Sequence, residues 1–194
     1  MKGNTDVVKV LNEVLRKELT GINQYFIHSK MLKNWGYAVL AEHGWNESID
    51  EMKHADQIVE RILFLEGVPN VQAYDKIQVG SNVKQQLEND LGLEQAALTV
   101  LRPGIKTCLD AYDDATRELL QHIVVDEEHH IEDRNSVSHN QRNWLREPPG
   151  AADIQKELSI YISCLNTHRR PRLPLINASM PPVFSRMSST HSPR

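Results

Sequence analysis

One spacing pattern occurs twice in this chain of 194 residues, and it restricts the possible folds more than any other feature. In each copy a glutamate precedes a Glu-x-x-His motif by 33 residues. The two copies consist of Glu18, Glu51 and His54, and of Glu94, Glu127 and His130. Residues three apart lie on one face of a helix, so each motif presents a carboxylate and an imidazole to the same side. The pattern predicts two helical hairpins of matched geometry that face each other.

The apolar residues recur at helical spacing over four segments, and strand signals are nearly absent. The spacing predicts a first helix over about 4–34 and a second over about 37–66. A third helix is expected to begin near 81–82 and a fourth near Asp113. The connection over 67–81 is long enough to cross the length of a bundle. We therefore predict an all-α four-helix bundle with a long crossover between the second and third helices.

The chemistry of the repeated motif favours a dimetal site in the core of that bundle. Dimetal carboxylate bundles take one Glu from each of two helices and a Glu-x-x-His from each of the other two. Four carboxylates balance the charge of two divalent ions, and imidazole nitrogen suits iron. A single Glu-x-x-His motif usually lies on a solvent-exposed face of a helix, whereas two matched copies are not expected by chance. The six residues are therefore predicted metal ligands.

The first 132 residues resemble bacterioferritin, the haem-containing branch of the ferritins. The resemblance rests on six stretches of the sequence, which are Met1–Gly3, Ile22–Phe26, Asn34–Gly36, Glu47–Asp56, Glu60–Gly67 and Asp126–Glu128. It implies a ferritin-like fold and a ferroxidase that oxidises Fe(II) with oxygen or peroxide and stores Fe(III) as a mineral. It also implies a 24-subunit shell of this chain, built from dimers with haem b at each interface.

The resemblance assigns roles to individual residues of this sequence. The six predicted ligands match the dinuclear iron centre, with Glu51 and Glu127 as bridges. Met52 matches the axial ligand of haem b, although periodicity alone would place it in the core. Tyr25 matches a tyrosine near the iron centre, where two roles remain open: an electron donor, or a buried phenol hydrogen-bonded to a ligand glutamate.

Four further residues are of types that could bind metal. Asp50 matches part of an iron site on the inner surface of the shell, but Asn46 stands where the family often has histidine. That inner site is therefore in doubt. His43, His122 and His129 are expected to be surface histidines rather than ligands.

Composition and charge exclude several classes of function. The net charge of -4 and the absence of an early basic cluster give no reason to expect nucleic acid as a partner. No apolar run of membrane-spanning length occurs, and the N-terminus lacks the apolar core of a signal peptide. Cys108 and Cys164 are too few for a disulfide framework. A cytoplasmic protein without a membrane partner is expected.

The sequence departs from the family pattern at two places. Pro103 and Gly104 lie inside the predicted third helix, where we expect a kink that spares the position of Glu94. From about residue 133 the chain becomes polar and aperiodic, and the segment 169–194 is rich in Arg, Pro and Ser. We therefore divide the chain into a bundle over 1–132 and an irregular or disordered tail over 133–194.

Two origins of the tail were compared. Residues 141–158, written in suitable synonymous codons and read one base later, give a peptide that resembles the end of a bacterioferritin. We hypothesise that the tail is out-of-frame translation, which the codons of the gene would decide. The alternative is a natural disordered extension.

Two other functions remain open at this stage. A rubrerythrin-like peroxidase would contain iron but store none, and it would need a pair of Cys-x-x-Cys motifs that this chain lacks. A defective or non-storing subunit would bind iron or haem without building a shell, because its C-terminus is altered.

Overall fold

The computed structural model describes residues 2–139, with side chains through residue 135. Four helices account for most of this range: α1 Thr5–Asn34, α2 Ala38–Phe64, α3 Val83–Asp110 and α4 Asp114–His139. No strand occurs within residues 2–139. The predicted all-α bundle with a long crossover is confirmed. None of these helices combines the length and the apolar composition that a membrane span requires.

The helix ends follow local rules of capping. The side chain of Asn4 accepts a hydrogen bond from the Asp6 N–H at 2.8 Å at the start of α1. The side chain of Asn82 accepts one from the Gln85 N–H at 2.9 Å at the start of α3. Such caps satisfy backbone donors that the helix itself leaves open. Just after the end of α2 the backbone of Glu66 adopts the left-handed conformation, with φ 59°. Glu66 directly precedes Gly67.

The four helices bury apolar side chains in one large cluster and one smaller cluster. Helix α1 packs against α2 and α3, and α3 packs against α4. The core lies on both sides of the polar layer described below. Its largest fully buried aliphatic side chains are Leu11, Leu15, Ile58, Ile62, Leu101, Leu120 and Ile123. Burial of each such side chain contributes about 1.5–3 kcal/mol relative to its exposure.

Helix α3 continues through Pro103 and Gly104. A Cβ at position 104 would lie 2.6 Å from Cγ1 of Val10 on α1 and 3.3 Å from Cδ1 of Leu120 on α4. The glycine therefore permits a close approach of three helices at this level. The kink expected at Pro103 stays a prediction.

A row of polar side chains on α1 holds the crossover between α2 and α3. The Asn12 side chain accepts from the Asn70 N–H at 2.7 Å. The other three members accept in the same way: Thr20 from the Asp75 N–H at 2.9 Å, Gln24 from the Gln78 N–H at 3.0 Å and His28 from the Gly80 N–H at 3.1 Å. Their spacing in multiples of four places them in a row that winds slowly around α1. The crossover thus satisfies backbone donors although it forms no sheet.

Helix α4 extends to His139, seven residues beyond the point where the sequence analysis began the irregular tail. The expectation that residues 133–139 are irregular is therefore wrong. The physical reason is Arg134, which is buried and pairs with Glu47 and Asp90, a contact that apolar periodicity cannot reveal. The remaining tail, 140–194, lies outside the described residues. The division into bundle and tail, and the frameshift, stay predictions.

Candidate metal centre

The four helices bring the six predicted ligands into one layer in the middle of the bundle. Glu18 comes from α1, Glu94 from α3, and each Glu-x-x-His from α2 or α4. All four carboxylates are almost fully buried, with exposed fractions of 1–3 %. Burial of four carboxylates at one place is costly unless a cation neutralises them.

The donor atoms form two groups that share two glutamates. One group consists of Glu18, Glu51, His54 and Glu127, and the other of Glu51, Glu94, Glu127 and His130. Within each group the donor atoms lie within 4.8 Å of one another. Because Glu51 and Glu127 belong to both groups, the arrangement can hold two ions side by side with two carboxylates between them.

The individual contacts show how the imidazoles face the carboxylates. His54 Nδ1 lies 3.2 Å from Glu18 Oε2 and 3.5 Å from Glu51 Oε2. His130 Nδ1 lies 3.4 Å from Glu51 Oε1 and 3.6 Å from Glu94 Oε1. Both Nδ1 atoms therefore point at the space between the glutamates.

Several atoms of this layer that could coordinate a metal are buried without a hydrogen-bond partner. They are Glu18 Oε1, Glu51 Oε1, both carboxylate oxygens of Glu127, and His130 Nδ1. Among residues 2–135, no lysine or arginine forms an ion pair with the four carboxylates. Buried polar atoms almost always have hydrogen-bond partners. Metal ions would be suitable partners for this group of unpaired carboxylate oxygens and imidazole nitrogen.

The metal-free layer opposes ionisation of Glu18, Glu94 and Glu127. At Glu51, burial is outweighed by contacts with His130 and His54, which lower its pKa. Burial, followed by the charge of Glu51, raises the pKa of Glu18 well above its usual value. The same two causes raise the pKa of Glu127. Burial also raises the pKa of Glu94. Like charges in a dry site oppose one another's ionisation, so a bound cation would favour the charged form of these carboxylates.

The imidazoles are also protonated at neutral pH. Burial acts to lower the pKa of His54, but its contacts with Glu18 and Glu51 raise it to about 11. Burial likewise opposes the shift at His130, whose pKa is raised to about 9 by its contact with Glu51 and the charge of Glu94. A metal ion would have to displace these protons, because only the neutral imidazole is a ligand.

Tyr25 lies directly beside this layer. Its side chain is 1 % exposed, and its phenol donates a hydrogen bond to Glu94 Oε1. Burial and the charge of Glu94 raise the pKa of Tyr25 well above its usual value, so the phenol stays protonated. The hydrogen bond to a predicted ligand is one of the two roles considered from the sequence.

Comparison with known proteins agrees with this geometry. Residues 8–140 match the family model of the ferritin-like domain. The bacterioferritin of Mycobacterium bovis is 48 % identical over 132 residues, which cover 68 % of this chain and 83 % of that protein. The bacterioferritin of Rhodobacter capsulatus is 41 % identical over 132 residues, 68 % of this chain and 82 % of that protein. The chain belongs to the ferritin-like family, and within it to the bacterioferritins.

A second buried polar cluster adjoins the metal layer of this bacterioferritin. Asp90 accepts hydrogen bonds from Gln24 at 2.8 Å and from Arg134 at 3.0 Å, and its Oδ1 lies 2.8 Å from His28 Nδ1. The Arg134 guanidinium also pairs with Glu47 and lies 4.9 Å from the centre of the Tyr25 ring. We call these five residues, Gln24, His28, Glu47, Asp90 and Arg134, the arginine cluster.

The sequence analysis did not identify the arginine cluster, although part of its signal was present. Glu47 and Asp90 each lie four residues before a predicted ligand, Glu51 and Glu94, and so share its helix face. Arg134 lies four residues after His130 in the same way. Extending the ligand face by one turn would have found three members. The end assigned to the fourth helix removed Arg134 from consideration.

Two openings lead to the metal layer from opposite sides of the bundle. The wider one, which we call the basin, has a volume of about 350 Å³ between α2 and α4. Its lining includes Asp50, Lys53, His54, Asp126, His129 and His130. The narrower one, which we call the slot, has a volume of about 10 Å³ between α1 and α3. Beside the ligands it is lined by Lys17, Gly21, Tyr25, Leu93 and Ala97.

The remaining sequence candidates lie on the surface of the bundle. Met52 is 51 % exposed, so it points away from the core. It lies on one stripe of α2 with the exposed apolar side chains of Trp45 and Ile49. His122 and His129 are exposed, as expected of surface histidines. His43 is partly exposed beside Glu47.

Proposed function

We propose that this protein oxidises Fe(II) at a dinuclear centre and stores the Fe(III) product as a mineral. The observation that carries the proposal is the layer of six ligands, four of which have atoms without a hydrogen-bond partner and none of which pairs with a lysine or arginine of residues 2–135. Membership in the bacterioferritins supports storage as the destination of the product.

The position of each of the six ligands indicates its proposed role. Glu51 and Glu127 contribute to both donor groups and are the bridging carboxylates of the proposal. Glu18 with His54 would complete one iron site, and Glu94 with His130 the other. Two Fe(II) ions held at one place can together supply two electrons to oxygen or peroxide.

Tyr25 has a second proposed role as an electron donor to the centre. Its phenol is hydrogen-bonded to Glu94, so an electron and a proton could leave it toward the same ligand. The Arg134 guanidinium lies 4.9 Å from the centre of the Tyr25 ring, and this cation–π contact helps to hold the phenol in place.

Met52 is the proposed axial ligand of haem b. Its thioether is a known haem ligand type, and its exposed position on an apolar stripe of α2 fits a group shared between two subunits. The stripe continues onto α1, where the ring centroid of Phe26 lies 6.0 Å from that of Trp45. An exposed apolar stripe of this kind is typical of a protein interface.

The proposed assembly is a homo-oligomeric shell, with 24 subunits as in the family expectation. The cytoplasmic location also stays a prediction, whereas no inner-surface iron site with Asp50 is proposed, because Asn46 stands where the family often has histidine. Neither nucleic acid nor a membrane is proposed as a partner.

The function is tested by adding Fe(II) to the chain without oxygen and then admitting air. Light scattering coupled to size-exclusion chromatography follows the mass, and absorbance follows Fe(III) and haem. We expect Fe(III) to elute with a shell-sized particle, and we expect Glu51→Ala to abolish rapid oxidation. The same particle without Fe(III) would contradict the proposal.

Small particles that bind at most two irons per chain would indicate the alternative function, a non-storing subunit. The matched control is Met52→Leu, which should remove haem absorbance while leaving Fe(II) oxidation intact. Loss of oxidation in that variant would contradict the separation of the two sites.

A further inference from the structure

Gly21 lies on α1 at the place where the slot meets the metal layer. It is buried, and its backbone is helical, so no left-handed conformation requires glycine at this position. A Cβ at position 21 would lie 3.2 Å from Glu51 Cγ, 3.4 Å from Glu51 Cδ and 3.6 Å from Cε2 of Tyr25. Alanine is the better helix former, so the helix itself does not favour glycine here. What glycine provides is free space between a bridging carboxylate and the phenol ring.

The size and the lining of the slot suit a very small molecule without charge. A volume of about 10 Å³ is at the lower limit for a single water molecule, so a divalent ion with its hydration shell does not fit. Gly21, Leu93, Ala97 and the ring of Tyr25 form an apolar part of its wall. The slot is therefore unsuited to the metal itself but has room for a molecule of two heavy atoms at most.

The slot also touches the groups that the proposed reaction needs. The four glutamates of the metal layer line it, including the proposed bridges Glu51 and Glu127. Tyr25, the proposed electron donor, lines it as well and donates its phenol hydrogen bond to Glu94. The imidazoles of His54 and His130 line the basin on the other side. A molecule in the slot would thus lie beside the carboxylates of both iron sites and beside the tyrosine.

We propose that the slot holds the uncharged oxidant, dioxygen or hydrogen peroxide, during Fe(II) oxidation, and that Gly21 provides the room for it. This inference rests on the proposed function, because it assumes that the six ligands bind iron. Two Fe(II) ions lose one electron each and become two Fe(III) ions. With these two electrons and two protons, dioxygen becomes hydrogen peroxide, whereas hydrogen peroxide becomes two water molecules. Gly21 is a positioning residue, since it acts through the space that it leaves open.

Nitric oxide tests the slot without any iron oxidation by dioxygen. It is an uncharged diatomic molecule like dioxygen, and its association with ferrous iron changes the visible absorbance. Stopped-flow mixing of the Fe(II)-loaded chain with nitric oxide, in the absence of dioxygen, gives the association rate. We expect Gly21→Ala to slow this association by about tenfold or more, because the added methyl group fills the slot and displacements of about 1 Å have effects of this size.

The same variant then separates the two oxidants. Fe(II) oxidation is followed by Fe(III) absorbance, once with dioxygen and once with hydrogen peroxide in the absence of dioxygen. A slower reaction of Gly21→Ala with one oxidant alone would identify that molecule as the occupant of the slot. A slower reaction with both would show that they share it. An unmodified rate with both oxidants would overturn the inference.

Gly92→Ala is the matched control. It adds the same methyl group to a helix, two residues before Glu94, where the added carbon meets nothing within 4 Å among the described residues. This variant should associate with nitric oxide at the unmodified rate. Titration with Co²⁺, whose visible absorption reports binding without oxidation, should give two metals per chain in both variants. If Gly21→Ala does not bind two Co²⁺, Leu93→Phe, which fills the slot from α3, decides the inference in the same assays.

The outcomes distinguish this inference from the function on which it rests. If the slot variants bind two Co²⁺ and associate with nitric oxide at the unmodified rate, the inference is overturned while the proposed function stands. Equal slowing in Gly92→Ala would also overturn it, because the effect would then not come from the slot. If the unmodified chain binds no Co²⁺, the proposed function itself fails.

Discussion

The bundle contains two adjacent buried polar clusters that solve the problem of buried charge in opposite ways. In the arginine cluster, Arg134 pairs with both Glu47 and Asp90, and Asp90 accepts further hydrogen bonds. In the metal layer, carboxylates face each other and several of their oxygens have no partner. The first cluster carries a permanent guanidinium cation, whereas the cations of the second are imidazolium groups that must lose their protons before they can bind metal.

This difference separates a structural role from a binding role. A buried ion network with a built-in cation needs no ligand, and it loses stability when one partner is removed. A layer in which four buried carboxylates face only two imidazoles is destabilising by itself and becomes favourable only when metal binds.

Arg134→Leu should cause the largest loss of stability. It leaves Glu47 and Asp90 buried without their cation, which costs about 3–5 kcal/mol for a broken buried pair. Chemical denaturation of the metal-free chain measures the free energy of unfolding. Glu47→Gln, which keeps the shape but removes one charge, should cost less. An Arg134→Leu chain as stable as the unmodified one would show that the arginine cluster does not form.

Glu127→Gln should act in opposite directions on metal binding and on metal-free stability. It removes a bridging donor, so we expect Co²⁺ affinity to fall by at least about 100-fold. It also removes a buried carboxyl whose ionisation is opposed by burial and by the charge of Glu51, so metal-free stability should stay equal or rise. Titration calorimetry and thermal unfolding give the two quantities. A large loss of metal-free stability would place Glu127 in a structural role.

Sequence alone predicted the metal layer better than the arginine cluster, and the reason is physical. The ligand pattern repeats within the chain, so the spacing from Glu18 to Glu51 supports the spacing from Glu94 to Glu127. The arginine cluster has no internal repeat and joins residues as distant as Glu47 and Arg134. Only the packed bundle brings such residues together.

The end of α4 is a second feature that the sequence pattern did not predict. Apolar periodicity predicted four helices and the long crossover, because burial of apolar faces determines them. The stretch from residue 133 to His139 lacks that periodicity, yet it is helical. An ion pair fixes its position, and hydropathy patterns do not record ion pairs.

The pH dependence of metal binding distinguishes the metal layer from a site that is already deprotonated. Since the pKa of His130 is about 9 and that of His54 about 11, both imidazoles hold protons from pH 6 to pH 8. Each proton displaced by metal makes the affinity rise about tenfold per pH unit. Calorimetry in two buffers of different ionisation enthalpy counts the protons. An affinity independent of pH would contradict the protonated imidazoles.

Tyr25→Phe should have the smallest effect on stability and none on the number of metals bound. It removes one hydrogen bond to Glu94, which contributes about 1 kcal/mol. If Tyr25 donates an electron, a tyrosyl radical signal after oxygen exposure should disappear in this variant. Freeze-quench electron paramagnetic resonance measures the signal. A signal that persists in Tyr25→Phe would assign the radical to another residue.

The most direct test of the central claim is the anomalous diffraction of a crystal soaked in Fe(II) without oxygen. Data collected on both sides of the iron absorption edge locate iron independently of the protein electron density. We expect two iron peaks per chain between Glu51 and Glu127. One peak should lie toward Glu18 and His54, and the other toward Glu94 and His130. Absence of both peaks from this layer, with iron bound only elsewhere on the chain, would contradict it.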